Sequence, residues 1–325
     1  ENVKGGFVVP GEYLIDPWAT AHAYILQAMQ NGAELYRDCE VLTGEFDGEI
    51  WQIETPKGML RTKQVINCAG LYGDIIDQRL LGASKFSIKP RKGQFVVFDK
   101  PASKLVDAVI LPVPTKTTKG VVIFRTIFGN LAVGPTAEEQ TSRTDASTVS
   151  QTLQDLRAKG IEMIPDLAKY EITTVYAGLR PATEFQDYQI SQNEAQNYIT
   201  VGGIRSTGLS GALGIASHVS RLNATVEFSA KPINKPLCPP PDRLSNYHER
   251  DWQMPDNGGI VCHCELVTKR EIQAALNGPM PPATLQGLKR RTRVCMGRCQ
   301  GFYCMGPLAE ITDGYLGPSM GETDA

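Results

Sequence analysis

Apolar positions recur at helical spacing over residues 17–30, where Ala19, Ala23, Leu26 and Met29 fall on one face. Asp16 before Pro17 supplies a capping side chain and a residue suited to a first helical turn, and Asn31-Gly32 supplies a stop. Short runs of strand character follow at 39–43, 49–54 and 64–67, with a Lys57-Gly58 turn before the last. Residues 65–74 predict a buried strand entering a helix through a glycine turn. In an α/β crossover of that kind, ligands collect at the carboxyl end of the strand.

The pattern then changes. Residues 94–98, 121–128 and 131–134 are β-branched and aromatic, and Gly129-Asn130 offers a tight hairpin turn. Ser147 is placed to cap a helix running to 159 with Leu153 and Leu156 inward, and strands are expected at 172–176 and 198–201. The middle of the chain therefore predicts a mostly antiparallel sheet, about residues 85–185, inserted into an α/β domain over 1–230. A proline-rich stretch at 231–241 ends in three consecutive prolines and predicts a stiff, extended linker, with the boundary falling within 231–258. In the remaining small domain, 259–325, Thr268 and Glu271 form a capping box for a helix to Asn277 that Gly278-Pro279 closes. Thr284 caps a second helix with Leu285 and Leu288 inward and its basic residues outward.

Composition narrows the function classes. Lys and Arg number 33 against 35 Asp and Glu, a net charge of −2, which gives no basic footprint for nucleic acid. No apolar run approaches the ~18 residues of a spanning helix. The length allows two domains with a real core, and the isolated Cys39 and Cys68 read as buried free thiols in a reducing compartment.

The other cysteines are patterned. One residue separates Cys262 from Cys264, four separate Cys299 from Cys304, and 34 lie between the pairs. A two-iron sulfur core takes four thiolates, two on each iron. Gly297 and Gly301 leave room for amides to approach such a core. Residues 272–309 contain no acid, while Lys289, Arg290, Arg291, Arg293 and Arg298 are basic, a balance suited to a net negative cluster. A structural zinc site and two disulfides are the alternatives; Cys-x-Cys suits zinc knuckles poorly, and disulfides belong to a secreted context. His263 lies between two of the candidate ligands, but four cysteines already suffice; His22, His218 and His248 read as ordinary packing or surface residues.

A second informative segment, 201–216, leads from a strand through Gly202, Gly203, Gly208, Gly211 and Gly214 into an Ala/Leu/Gly helix. The amides of a helix N-terminus can meet an electron-rich ligand atom, although a packed glycine turn without a ligand has the same spacing.

Residues 15–18, 66–70, 91–94, 177–181 and 201–216, in that order, resemble the FAD-dependent oxidoreductase family that includes D-amino-acid oxidase and glycerol-3-phosphate dehydrogenase. The resemblance covers about residues 10–228. Residues 290–304 resemble a BFD-type [2Fe–2S] domain in its Cys-x-Cys, Cys-x4-Cys variant. Together they are similar to the large flavin subunits of anaerobic glycerol-3-phosphate dehydrogenases. The resemblance implies a partial Rossmann-like FAD-binding domain with an inserted substrate sheet, followed by a small helical cluster domain. It assigns Val41, Ala69, Gly70, Gly203, Arg205, Thr207, Gly208 and Leu209 to FAD, Arg180 and Arg205 to an anionic substrate, and Cys262, Cys264, Cys299 and Cys304 to the cluster. Cys295 stands where the family more often has a small residue without a thiol, and is expected to be a spectator.

The activity implied is oxidation of a small anionic secondary alcohol, sn-glycerol 3-phosphate first, with electrons relayed through the cluster. L-2-hydroxyglutarate or another 2-hydroxy acid is the alternative substrate, and a non-catalytic electron-transfer or scaffold module the alternative class. A further electron-acceptor subunit or a quinone is the expected partner, in the cytoplasm or peripherally on the inner face of a membrane. The Gly-x-Gly-x-x-Gly fingerprint that opens such flavin domains does not occur in the chain, so about 150 residues that complete the FAD site are expected upstream or on another polypeptide, and the chain alone is expected to hold FAD poorly or not at all.

Overall fold

The computed structural model describes residues 3, 5–113, 120–222, 233–239, 244–245 and 247–317. Helix α1, Pro17–Gln30, is capped as expected: Asp16 Oδ1 accepts from the amides of Trp18 (2.9 Å) and Ala19 (3.1 Å), and Ala19 and Leu26 are buried. Strands β1 (Thr43–Phe46), β2 (Trp51–Thr55) and β3 (Gly58–Thr62) form an antiparallel meander. Along β2 Trp51, Ile53 and Thr55 are buried while Gln52 and Glu54 are exposed, so one face of the meander closes over Leu80 and Tyr198. The strand expected at 39–43 begins only at Thr43, and β3 replaces part of what reads as a turn.

Strand β4 (Val65–Asn67) leads through a short turn into helix α2 (Gly73–Leu81), as the glycine-turn reading requires. It pairs in parallel with β11 (Tyr198–Gly202), which pairs antiparallel with β10 (Gln189–Asn193). A separate five-stranded sheet contains β5 (Ile88–Phe98), β6 (Val122–Arg125), β7 (Leu131–Gly134), β8 (Glu138–Glu139) and β9 (Ile172–Thr183), with every described pairing antiparallel. β9 follows β5 along its whole length, from Ile88 opposite Thr183 to Phe98 opposite Ile172. Helix α3 (Ser150–Met163) covers one face and buries Leu156 against Val96, Ile123 and Val133. Its cap differs from expectation: Ser147 lies outside the helix, and the Val149 amide donates to Oε1 of the buried Gln94 (2.7 Å). A sheet side chain thus takes over the role expected of a neighbouring serine.

Helix α4 (Gly208–Leu222) follows β11 and buries none of its described side chains. Of the proline-rich stretch, residues 231, 232, 240 and 241 lie outside the described residues. Within it, the Leu237 backbone exchanges hydrogen bonds with the Asn31 side chain (3.0 Å each). Arg250 pairs with Glu271 (3.1 Å), which fastens the end of the expected linker onto the small helical part.

The C-terminal part is built from β12 (Ile260–Cys262), β13 (Val267–Thr268), α5 (Lys269–Leu276), α6 (Leu285–Thr292) and α7 (Met305–Thr312) around Val267, Ile272, Leu288, Val294 and Leu308. Both expected caps are present. Thr268 and Glu271 make the capping box, and Thr284 accepts from the Gly287 amide (3.1 Å). One departure matters for the site: Arg293, expected outward, is buried beside Glu265 (2.9 Å) with its guanidinium 3.8 Å from the centre of the Phe128 ring.

Candidate active site and cluster site

The carboxyl ends of β4 and β11 meet helix α4 around a cavity of about 620 Å³. Ile66, Cys68 and Gly70 come from β4 and its turn, Val201 to Ile204 from the end of β11, Pro181 from β9, and Gly208, Ala212, Ile215 and Ala216 from α4. The apolar side of α4 that the fold leaves unburied is therefore a wall of this cavity.

Behind the cavity a buried polar network fixes the turn. Asn67 Nδ2 donates to Gly73 O (2.7 Å) and to Asp77 Oδ1 (2.8 Å), and its Oδ1 accepts from the Ala69 amide (3.0 Å). Asp77 Oδ1 also accepts from Tyr198 (3.0 Å) and Thr200 (2.9 Å), tying β11 to α2. Burial and the neighbouring Asp77 push the Tyr198 phenol far above its ordinary value, so it stays a donor. Gly70 has φ +56°, with open space where a Cβ would stand. Gly203, at φ +67°, turns the chain out of β11 at a point where a Cβ would press on Gln189 (3.2 Å) and Thr183 (3.4 Å). The Thr207 carbonyl accepts from the Gly211 amide (2.8 Å), and its hydroxyl meets that of Tyr188, which sets the first turn of α4.

Of the residues that the family resemblance assigns to FAD, Gly70, Gly203 and Gly208 line this cavity together. Ala69, Arg205, Thr207 and Leu209 belong to the same two turns without being among its lining residues. Val41 stands apart: its side chain packs with the Trp51 and Tyr198 cluster, and its carbonyl accepts from Arg79 (2.6 Å). Cys68 is exposed at the cavity rather than buried as expected, and partial desolvation raises its thiol pKa. Cys68 and Pro181 are lining residues that sequence reasoning passed over, although both sit inside the segments that carry the family resemblance.

The two arginines flank the cavity through their neighbours Pro181 and Ile204. Arg180 lies over the sheet, with Nε donating to Arg91 O (3.3 Å) and Nη2 to Lys92 O (3.2 Å) and Thr136 O (2.7 Å). Desolvation, and then Arg91, lower its pKa. Arg205 Nη2 donates to Phe185 O, while its Nε is buried with no hydrogen-bond partner among the described residues. A buried guanidinium N–H left over in this way suits a ligand oxygen.

In the C-terminal part the five clustered cysteines converge. Cys262 ends β12, Cys264 lies in the turn to β13, and Cys295, Cys299 and Cys304 lie on the loop between α6 and α7. The contacts run crosswise to the sequence pairs: the Cys262 thiol meets Cys304, and the Cys264 thiol meets Cys299. Two thiols on each side is the donor set a two-iron core takes, with Cys295 beside the Cys304 thiol (3.4 Å). Desolvation raises Cys262, Cys264, Cys295 and Cys304, the last to about 11. Cys299 is held low, first by the Tyr303 amide and also by those of Gly301 and Phe302, a set of donors placed for a thiolate. The basic balance expected around the site is smaller than the sequence implies, because Glu265 neutralises Arg293 and Asp99 neutralises Arg298.

Two family models match separate stretches of the chain. The chain matches the model of the FAD dependent oxidoreductase family over residues 1–222 and that of the BFD-like [2Fe-2S] binding domain over 260–313. It is 34% identical over 335 aligned residues to a glycerol 3-phosphate dehydrogenase of Caloramator mitchellensis, covering 100% of this chain and 69% of that protein. It is 22% identical to one subunit of the anaerobic glycerol-3-phosphate dehydrogenase of Escherichia coli K12, covering 89% of this chain and 60% of that one. Among solved structures it is similar to FAD-bound L-alpha-glycerophosphate oxidase of Mycoplasma pneumoniae, with a TM-score of 0.56, 26% identity, and coverage of 64% of this chain and 56% of the other. FAD and a [2Fe–2S] cluster are the cofactors that go with these two domains. No helix among the described residues is long and apolar enough to cross a membrane. With the family matched over most of its length and the cluster domain matched behind it, the chain belongs to the FAD-dependent oxidoreductases, in a form that carries a BFD-like [2Fe–2S] binding domain.

Proposed function

We propose that the complete protein oxidises sn-glycerol 3-phosphate and passes the electrons through the cluster to a further subunit or a quinone. The observation that carries this reading is the 34% identity to the Caloramator glycerol 3-phosphate dehydrogenase, which runs through both the flavin part and the cluster part of the chain. When bound, FAD accepts a hydride from the alcohol carbon, and the cluster carries electrons singly. For this chain the proposed flavin residues are Gly70, Gly203, Gly208 and the turns that hold Ala69, Arg205, Thr207 and Leu209, with Val41 further off. The apolar wall from α4 keeps water from the reacting face. Arg205 Nε is the free donor for a substrate oxygen, and Arg180 adds positive charge beside the same cavity. Cys262, Cys264, Cys299 and Cys304 are the proposed cluster ligands. The protein is proposed to work in the cytoplasm or against the inner face of a membrane.

Anaerobic turnover of the flavin-loaded protein tests this with sn-glycerol 3-phosphate, L-2-hydroxyglutarate and glycerol as substrates. The phosphate ester is expected to be preferred, and Arg205→Ala is expected to lower kcat/KM, expressed per bound flavin, by about 30- to 5,000-fold. Equal turnover of uncharged glycerol would overturn the anion site. Preference for L-2-hydroxyglutarate would keep that site and change the substrate.

A further inference from the structure

The fifth clustered cysteine is not explained by the four-ligand reading. Cys295 is 1% exposed, and its Sγ lies 3.4 Å from that of Cys304. Two sulfurs bound at about 2.3 Å to one tetrahedral metal stand about 3.8 Å apart, so the Cys295–Cys304 pair already has nearly the spacing of two ligands on one iron. The Cys295 amide faces both the Cys262 and the Cys304 thiols, so the residue lies against that pair. Its backbone is left-handed, at φ +61°, a conformation that costs a side-chain-bearing residue about 1–2 kcal/mol and that glycine would adopt freely. Gly301, at φ +98°, closes over it: a Cβ there would meet the Cys295 Cβ and Sγ at 3.3 Å. Cys264 and Cys299, on the other side, show no comparable spare thiol among the described residues.

We propose that Cys295 is a reserve ligand of the cluster, able to take the place of Cys262 on the iron shared with Cys304. The exchange is a change of ligand without a change of oxidation state. In the exchange the Cys262 sulfur–iron bond breaks, the released Cys262 thiolate takes up the proton that the Cys295 thiol gives up, and the Cys295 sulfur bonds the iron. The inference rests on the four-cysteine reading and makes it asymmetric: loss of Cys262 is tolerated, loss of Cys264 is not.

Anaerobic reconstitution with ferrous iron and sulfide tests it, with iron and labile sulfide per chain, visible circular dichroism and the electron paramagnetic resonance of the reduced protein as readouts. Cys262→Ala is expected to keep at least half of the wild-type iron with a shifted spectrum, Cys295→Ala to keep all of it with little shift, and Cys262→Ala/Cys295→Ala to lose it. Cys264→Ala is expected to lose the cluster; if it does not, the four-ligand reading itself fails, separately from this one. A folded Cys262→Ala chain that binds no iron, or a double variant that binds as much as Cys262→Ala, would overturn the reserve role. So would loss of the cluster in Cys295→Ala alone. Should alanine at 262 loosen the core, Cys262→Ser, closer in size, repeats the comparison against Cys262→Ser/Cys295→Ser. Iron in the single variant only supports the proposal, and iron in both or in neither overturns it.

Discussion

At the scale of single residues, the cluster site is shaped as much by what is small as by what binds. A Cβ added at Gly297 would fall on the Cys264 Cβ, well inside van der Waals contact, and within 3.2 Å of Glu265 Oε1. Neither neighbour has room to move, since Cys264 sits in a tight turn and Glu265 is 2% exposed between two cations. Gly297→Ala is therefore expected to destabilise the C-terminal part by about 1–3 kcal/mol and to displace Cys264 from its partner Cys299. Iron content after reconstitution, with thermal melting of the apoprotein, checks this; wild-type loading and melting would show that the turn yields. The value of Gly297 was legible in the sequence only as a glycine near cysteines. Its close approach to a residue 33 positions earlier was not, because that contact exists only after β12 and the α6–α7 loop are brought together. The crosswise thiol contacts were illegible for the same reason.

Individual elements were legible where their signals are local. Asp16 for α1, Thr268 with Glu271 for α5 and Thr284 for α6 all act on amides within three residues, so the sequence alone contains both partners. β9 shows the opposite case. Its second half, which contains Gly178 and Pro181, runs past the strand expected at 172–176 because β5, about 80 residues earlier, supplies its pairing. Helix α7 is not among the elements expected from sequence; Gly306 and Pro307 fall in its first turn, where a proline is tolerated. Arg143 and Asp74 form another long-range link, joining the loop before α3 to α2 and β5. The guanidinium makes two bonds to the carboxylate (2.7 and 2.8 Å), which also accepts from the Ile88 amide (2.8 Å). Burial alone would raise the Asp74 pKa, but the Arg143 hydrogen bonds and the Ile88 amide override it and hold the carboxyl below its ordinary value. A depressed carboxyl stabilises the fold fully above its unfolded pKa of about 3.9 and loses that contribution as the pH falls through the lower folded value. Arg143→Ala is expected to lose an amount near the lower end of about 3–5 kcal/mol, since the arginine side chain is still 21% exposed. Denaturant unfolding from pH 7 to pH 3 should show the gap between wild type and variant widest at neutral pH and narrowing below about pH 4. A gap independent of pH would assign the loss to the Leu71 carbonyl contact of Arg143 instead.

At the scale of the molecule, the question is how the cavity and the cluster are held in register. Both ends of the problem lie on β9. Thr174 meets Gln300 of the cysteine loop at 3.4 Å, and Pro181 lines the cavity, about 23 Å further along at about 3.3 Å per residue. The cysteine loop keeps its place on the sheet through Glu265, which binds Arg293 at 2.9 Å and Lys100 at 3.3 Å, while Arg293 stacks on Phe128. The two cations are not equivalent. Arg293 is 5% exposed, so removing the Glu265 charge strands a buried guanidinium, a loss of about 3–5 kcal/mol. The Lys100 side chain is 31% exposed, and its pair contributes no more than about 1 kcal/mol. Glu265→Gln keeps the shape and removes only the charge, which makes it the sharper substitution. It is expected to lower the melting temperature of the C-terminal part and to open the chain to protease at residues 247–260, whereas Lys100→Ala changes neither by much. Calorimetry of the holoprotein with limited proteolysis measures both effects. If Glu265→Gln shifts the melt no further than Lys100→Ala, the stack of Arg293 on Phe128 holds the interface without the ion pair. If it melts the C-terminal part early while the rest of the chain is unchanged, Glu265 is the charge that keeps the cysteine loop at its fixed reach from the cavity.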